Sequence, residues 1–168
     1  SIPPFDQRFV EEALIESFGE EFKKKFKKIE EPIAAASIAQ VHKALIDVDG
    51  VSKTVALKVL RPNIESKIKR DLKDFYLAAK ILEKLSSEAR RLRVIDVVRT
   101  LEESLSMEID LRLEAAAQSE IIENTQEDKF IEIPEVFWDL TSKNILTTEW
   151  VDACLLYTSP SPRDKHRS

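Results

Sequence analysis

Glycine is nearly missing from this 168-residue chain, which has two, Gly19 and Gly50. A segment that must wrap closely around a ligand has to do so without the residue that usually permits it. There is one cysteine, Cys154, so no internal disulfide can form. The two histidines, His42 and His166, lie far apart and give no metal-ligand spacing, and His42 reads as a surface strand residue. No apolar run approaches the roughly 20 residues needed to cross a bilayer, and the first residues lack the basic-then-apolar pattern of a leader. The segment is therefore expected to be soluble. Acidic residues outnumber basic ones, 31 to 26, for a net charge of −5. That balance argues against a nucleic-acid partner, whose usual footprint is a basic stripe.

What is present is a chain long enough for one cored domain or a piece of a larger protein, with 43% hydrophobic and 34% charged residues. Its most informative stretch runs from Ile33 to Lys58. A protein-kinase nucleotide lobe reads apolar-G-x-G-x-x-G-x-Val over the phosphates, then Val-Ala-Ile-Lys on its third strand. Here Ala34, Ala36 and Ala39 stand at the three glycine positions. Ile33 and Val41 occupy the apolar positions that would sandwich an adenine, and Val55-Ala56-Leu57-Lys58 supplies the phosphate lysine. An alanine Cβ penalises left-handed backbone by roughly 1 kcal/mol or more, so the loop through Ala34, Ala35, Ala36 and Ser37 should be stiffer than a glycine loop. Taken alone, the alanine run reads equally as the start of a helix or a packed turn.

Together, Pro32-Ile33-Ala34-Ala35-Ala36-Ser37-Ile38-Ala39-Gln40-Val41-His42, Val55-Ala56-Leu57-Lys58-Val59 with Arg61-Pro62, and Glu108-Ile109-Asp110 with Glu114-Ala115 resemble the UbiB-type atypical kinases over residues 1–152. These are kinase-like ATPases of ubiquinone biosynthesis with an alanine-rich loop. The resemblance implies an α+β, kinase-like N-terminal lobe with a five-stranded antiparallel sheet, a helical extension over residues 1–31, and the lobe with inserted helices over 32–152. It implies ATP and Mg²⁺ as cofactors. Lys58 would neutralise phosphate charge and Glu114 would orient it. Ile33, Ala34, Ala35, Ala36, Ser37, Val41, Ala56, Thr148, Glu149 and Val151 would contact nucleotide, with Thr148 as gatekeeper and Glu149 to Val151 as hinge. Glu108 and Asp110 match the family's Glu-x-Asp motif, which works with a Lys-x-Gly-Gln segment that does not occur in this chain.

In chain order, Asp6 caps a helix carrying Phe9, Val10, Ala13, Leu14 and Phe18 and ended by Gly19. A second amphipathic helical piece follows, with Phe22, Phe26 and Ile29 inward. Its lysines, Lys23, Lys24, Lys25, Lys27 and Lys28, read either as an anionic-membrane contact or as a solvated face balanced by Glu20, Glu21, Glu30 and Glu31. Strands are expected over 33–36, 40–47 and 54–60, with Asp49-Gly50 as the hairpin turn. Asn63 can cap a long extra helix striped by Ile64, Ile68, Leu72, Phe75, Ala79 and Leu82. After a charged linker over 86–93, one helix should carry Glu108, Asp110 and Glu114. On a regular helix Asp110 and Glu114 sit about 40° apart and Glu108 about 160° from Asp110. Either these carboxylates serve different partners or the helix is irregular there. Strands over 132–138 and 144–151 complete the sheet.

Residues 153–168 resemble translated sequencing-adaptor read-through and are expected to be a non-native or disordered tail. The catalytic-loop and Mg²⁺-binding residues of a kinase would lie beyond Asp152, so the segment alone is expected to be inactive and no metal ligands are assigned within it. Its expected partners are nucleotide, the second lobe, the Lys-x-Gly-Gln segment and, for the whole protein, a membrane or lipid quinone intermediates. By resemblance the whole protein would work on the cytoplasmic face of a bacterial inner membrane, or in mitochondria. A non-catalytic helical interaction module built on a kinase-like lobe is the alternative.

Overall fold

The computed structural model describes residues 4–125 and 132–152. Helix α1 (Gln7–Phe18) starts where the Asp6 carboxylate accepts the Arg8 amide at 3.0 Å, and it stops at Gly19, whose φ of +70° suits the residue without a Cβ. A single turn, α2 (Phe22–Lys25), leads into strand β1 (Phe26–Ala35), then β2 (Ala39–Val48) and β3 (Val51–Leu60). Asp49 and Gly50 both have positive φ, 52° and 82°, and join β2 to β3 in the turn that matches strand twist; the Asp47 carboxylate accepts the Gly50 amide at 2.7 Å. After β3 come α3 (Ile64–Leu85), α4 (Ser87–Leu92), α5 (Val94–Glu108) and α6 (Leu111–Thr125), and strand β4 (Ile145–Glu149) closes the described chain.

The sheet is antiparallel in the order β1-β2-β3-β4, with four strands rather than five. Residues expected to form a fifth, over 132–138, make a single bridge between Val136 and Thr148, and a 3₁₀ turn follows over Trp138–Leu140. Pro134 has no amide to donate, and its carbonyl is taken by the Gln118 side chain, so a ladder cannot extend through it.

One face of the sheet packs on the N-terminal helices. Val10 and Leu14 of α1, Phe22, Phe26, Ala44, Ile46, Val55, Leu57, Val59 and Ile145 form one buried cluster. That cluster explains why residues 26–29 are strand although their apolar spacing suggested helix: Phe26 pairs with Ile46 and Ile29 with Ala44, and this burial outweighs local propensity. Pro32 is accommodated because β1 is an edge strand with register shifts on either side of it. Four of the lysines are paired with carboxylates, Lys23 with Glu20, Lys24 with Glu21, Lys27 with Asp47 and Lys28 with Glu30, which favours the solvated-face reading.

His42 is a correction. It is 1% exposed, on the α1 side of β2, where Nδ1 donates to the Glu30 carbonyl at 2.8 Å and Nε2 takes the Gln40 amide nitrogen at 2.9 Å. Both hydrogen-bonding ends are satisfied by neighbours, so burial is tolerated. Asn63 also departs from expectation: it adopts φ 58° and makes no side-chain cap. The residues expected to be a charged linker form α4, capped by Ser86 Oγ on the Ala89 amide. Along α3, Ile68, Leu72, Tyr76 and Ala79 face α5, while Phe75 and Leu82 lie on an exposed flank. No helix among the described residues is long and apolar enough to cross a membrane. The expected tail, residues 153–168, lies outside the described residues.

Candidate functional site

Strand pairing puts the key residues on the face opposite α1. Directly opposed residues share a face, and Ala34 opposes Val41, Val41 opposes Lys58, and Lys58 opposes Leu146. The adjacent row on that face is Lys43, Ala56 and Thr148. Small and apolar side chains thus floor a surface that ends at the Lys58 amine. Lys43 leans its amine over the Trp150 ring, 4.9 Å from the centroid, beside this floor. Ala35 and Glu149 oppose Gln40 and Val55, so their side chains sit on the other face and only their backbone is available to the floor. Ile33 is 56% exposed in the bulged part of β1, and Ala36 and Ser37 are exposed at the hairpin tip. Val151 follows β4, half-buried.

Helix α6 covers the far end of this face through Leu111 and Ala115, which are buried with Ala39, Leu60 and Leu146. That packing turns Glu114 toward β3. The Lys58 ammonium donates to both Glu114 carboxylate oxygens, at 2.9 and 3.2 Å. The pair is half-exposed, with side chains 32% and 48% accessible. It borders a cleft of about 630 Å³ whose walls include Ile38, Met107, Leu113 and Glu108. Lys58, Glu114 and Glu108 therefore line one cleft.

Asp110 does not join them. The chain breaks between α5 and α6, and Asp110 caps α6 by accepting the Arg112 amide at 3.1 Å. Its carboxylate also receives the Arg112 guanidinium at 2.9 and 2.7 Å, which holds the Asp110 carboxyl below its usual range. Of the alternatives left open for Glu108 and Asp110, the irregular helix is the one seen: α5 ends at Glu108 and α6 begins at Leu111.

The start of α6 is also pinned from outside. The Leu111 amide donates to the Lys143 carbonyl at 2.9 Å, while the Lys143 ammonium bonds Glu65 of α3 at 2.7 Å. With Lys69 also 2.8 Å away, these cations, Lys143 foremost, hold the Glu65 carboxyl down to about 2 from an ordinary 4.5. Because the folded value is the lower one, this stabilisation is complete above pH 4.5 and disappears as pH falls towards 2. In acid titrations of thermal stability, Glu65→Gln is expected to flatten the decline over that window. Superimposable pH profiles for wild type and variant would show that Glu65 contributes nothing there.

Sequence reasoning missed the residues that tether the hairpin. Arg61, read only as part of a strand stop, donates its amide to the Ile38 carbonyl at 2.7 Å and its Nε to the Ala36 carbonyl at 3.1 Å. Its position directly after the lysine strand was the available signal. No residue of the alanine hairpin has positive φ, so alanine fits there without strain.

A lysine on the third strand of an antiparallel sheet, clasped by a carboxylate from a helix packed across that sheet, is the arrangement of the N-terminal lobe of a protein-kinase-like fold. Comparison with known proteins narrows the class. The sequence matches the ABC1 atypical kinase-like domain family over residues 1–166, and the chain belongs to that family. It is 35% identical over 149 residues to the probable protein kinase UbiB of Pseudomonas aeruginosa, and 34% identical over 149 residues to those of Azotobacter vinelandii and Pseudomonas putida. Each alignment covers 88% of this chain, which spans about 27% of the length of these relatives.

Proposed function

We propose that this segment is the nucleotide-binding half of an ATP-using atypical kinase or ATPase of the UbiB type. The observation that carries the reading is the two-oxygen clasp of Glu114 on Lys58 at the end of the Ala34-Val41-Lys58 row. An ammonium that gives two of its three N–H groups to the carboxylate keeps the third for a phosphate. Val41, Ala56 and Thr148 offer a floor of small side chains with no charged group among them, and Lys43 is drawn aside onto Trp150. These residues fit the adenine and phosphate ends of ATP. Glu149 and Val151 would meet the adenine edge through their backbone, Ile33 would close on the adenine with Val41, and Ala35, Ala36 and Ser37 would cover the phosphates.

ATP, when bound, supplies the transferable phosphoryl group. This chain's part is to place it: Lys58 neutralises phosphate charge, Glu114 fixes the amine, and Glu108 presents a second carboxylate to the same cleft. Among the described residues no group of three metal-binding side chains converges, and Mg²⁺ would be held by residues of the longer protein. Support of ubiquinone synthesis at a membrane, with a lipid quinone intermediate as partner, is part of the same proposal. A second reading, a helical interaction module, draws on the exposed apolar residues of α3 and α5, where Phe75 is 54%, Leu85 81% and Val97 61% accessible.

Thermal-shift titration of the full-length protein with Mg·ATP separates the two readings. A stabilisation saturating with nucleotide and lost in Lys58→Ala is the expected result; no shift in wild type or variant would favour the interaction module.

A further inference from the structure

Side-chain packing does little to fix the alanine hairpin. Ala34, Ala35, Ala36 and Ser37 are all exposed, their side chains are a methyl or a hydroxymethyl, and such groups bury too little to fix a loop. Hydrogen bonds hold it instead. Beyond the ladder pairing of Ala34 with Val41 and Ala35 with Gln40, Ala36 donates to the Ala39 carbonyl at 2.8 Å across the tip, and two further tethers come from Arg61, the third residue after Lys58. The Arg61 backbone amide holds the Ile38 carbonyl, and the side-chain Nε holds the Ala36 carbonyl.

Arg61 is itself placed by the N-terminal extension. Its guanidinium lies 5.6 Å from the Phe5 ring centroid, within cation–π range. Phe5 is strapped at both backbone groups by Gln40, whose Oε1 accepts the Phe5 amide at 3.1 Å and whose Nε2 donates to the Phe5 carbonyl at 3.4 Å. Gln40 is 1% exposed and bonded in turn to buried His42. A continuous line of contacts therefore runs from the His42 and Gln40 pair through Phe5 and Arg61 to the tip of the hairpin.

We propose that Arg61 is a positioning residue for the alanine hairpin, with Phe5 as its support, and that together they set how closely the hairpin lies over nucleotide phosphates. The proposal rests on the nucleotide-binding reading above. The backbone tether to Ile38 survives any substitution except proline, so of the two tethers an Arg61 variant releases the one at Ala36. The adenine floor on β2, β3 and β4 is untouched by the change. The signature is thus selective: phosphate-dependent affinity changes and adenosine affinity does not.

The test uses the full-length protein as wild type, Arg61→Ala, Arg61→Lys and Phe5→Leu. Affinities for Mg·ATP and for adenosine are measured by calorimetry, with amide exchange at Ala36 and at Leu57 as a fold control. Arg61→Ala is expected to change the Mg·ATP to adenosine affinity ratio by about fivefold, the size of one net hydrogen bond to a charged donor after allowance for exposure. Faster exchange at Ala36 should accompany it, with Leu57 unchanged. Arg61→Lys keeps the charge and loses the Nε bond, so it should resemble Arg61→Ala. Phe5→Leu should shift the ratio in the same direction by less.

An unchanged ratio in both Arg61 variants overturns the proposal, whatever exchange shows. So does a changed ratio with Ala36 protection intact, because Arg61 would then act on phosphate directly. If the wild type binds neither ligand, the functional reading fails on its own. Ala36 exchange in Arg61→Ala then decides the tether, and unaltered protection overturns it.

Discussion

Replacing Leu57 with alanine is expected to lower the unfolding free energy by about 2–5 kcal/mol, the range for removing a fully buried leucine. Leu57 is 0% exposed in the cluster that joins Val10 and Leu14 of α1 to Ala44 and Ile46 of β2 and Ile145 of β4. Its neighbours are fixed on separate strands and on α1, so they cannot all close on the space left by the side chain. At about 2–4 °C per kcal/mol for a domain of this size, the melting midpoint should fall by about 4–20 °C. Leu85, 81% exposed at the end of α3, is the control, and Leu85→Ala should stay within about 0.5 kcal/mol of wild type. Denaturant melts of both variants give the comparison. A Leu57 effect below about 1 kcal/mol would mean that α1 does not pack on the sheet as described. Below its melting midpoint the Leu57 variant should keep its nucleotide affinity, because Lys58 projects from the opposite face.

The second large effect concerns turnover by the full-length protein. Lys58→Met is expected to reduce nucleotide turnover by roughly 100- to 1,000-fold, the usual loss when one preorganised charge at a reacting phosphate or oxyanion is removed. Glu114→Gln should lose less, since Lys58 keeps its charge and forfeits only its fixed direction. Because the carboxylate acts through the amine, the double variant should be no slower than Lys58→Met alone. Losses that multiply would show that the two side chains act separately, and the clasp would have no catalytic meaning. Stability offers an independent check. A pair with 32% and 48% accessible side chains is screened by water, so its net worth to the fold is about 0–1 kcal/mol. The variants should therefore melt close to wild type while losing activity, which separates orientation from folding.

Much of the site was legible in the order of residues because its signals are local. Val55 to Lys58 alternates inward and outward as a strand must, Asp49-Gly50 dictates the tight turn, and Asp6 and Gly19 bracket α1. The alanine spacing before Val41 marked the hairpin for the same reason. Other features were not legible because they depend on partners distant in sequence. Residues 26–29 follow a helical apolar rhythm and become strand only because β2 provides a ladder and α1 a core. Asp110 stands two residues from Glu108 in the chain, yet the break after α5 turns its carboxylate to the start of α6. His42 is polar and was placed outside, yet Gln40 and the Glu30 carbonyl satisfy both of its nitrogens in the interior.

By itself the sequence determined the strand that carries Lys58, the hairpin without glycine that precedes it, and the helical carboxylate available to meet the amine. Side-chain period and turn chemistry act within a few residues, and they suffice for that. Only the tertiary structure decided that the Asp110 carboxylate turns to a helix end and that Arg61 reaches back to hold the hairpin. Those choices depend on how α6 and the N-terminal extension pack on the two faces of one sheet, and packing between distant segments leaves no periodic trace along the chain.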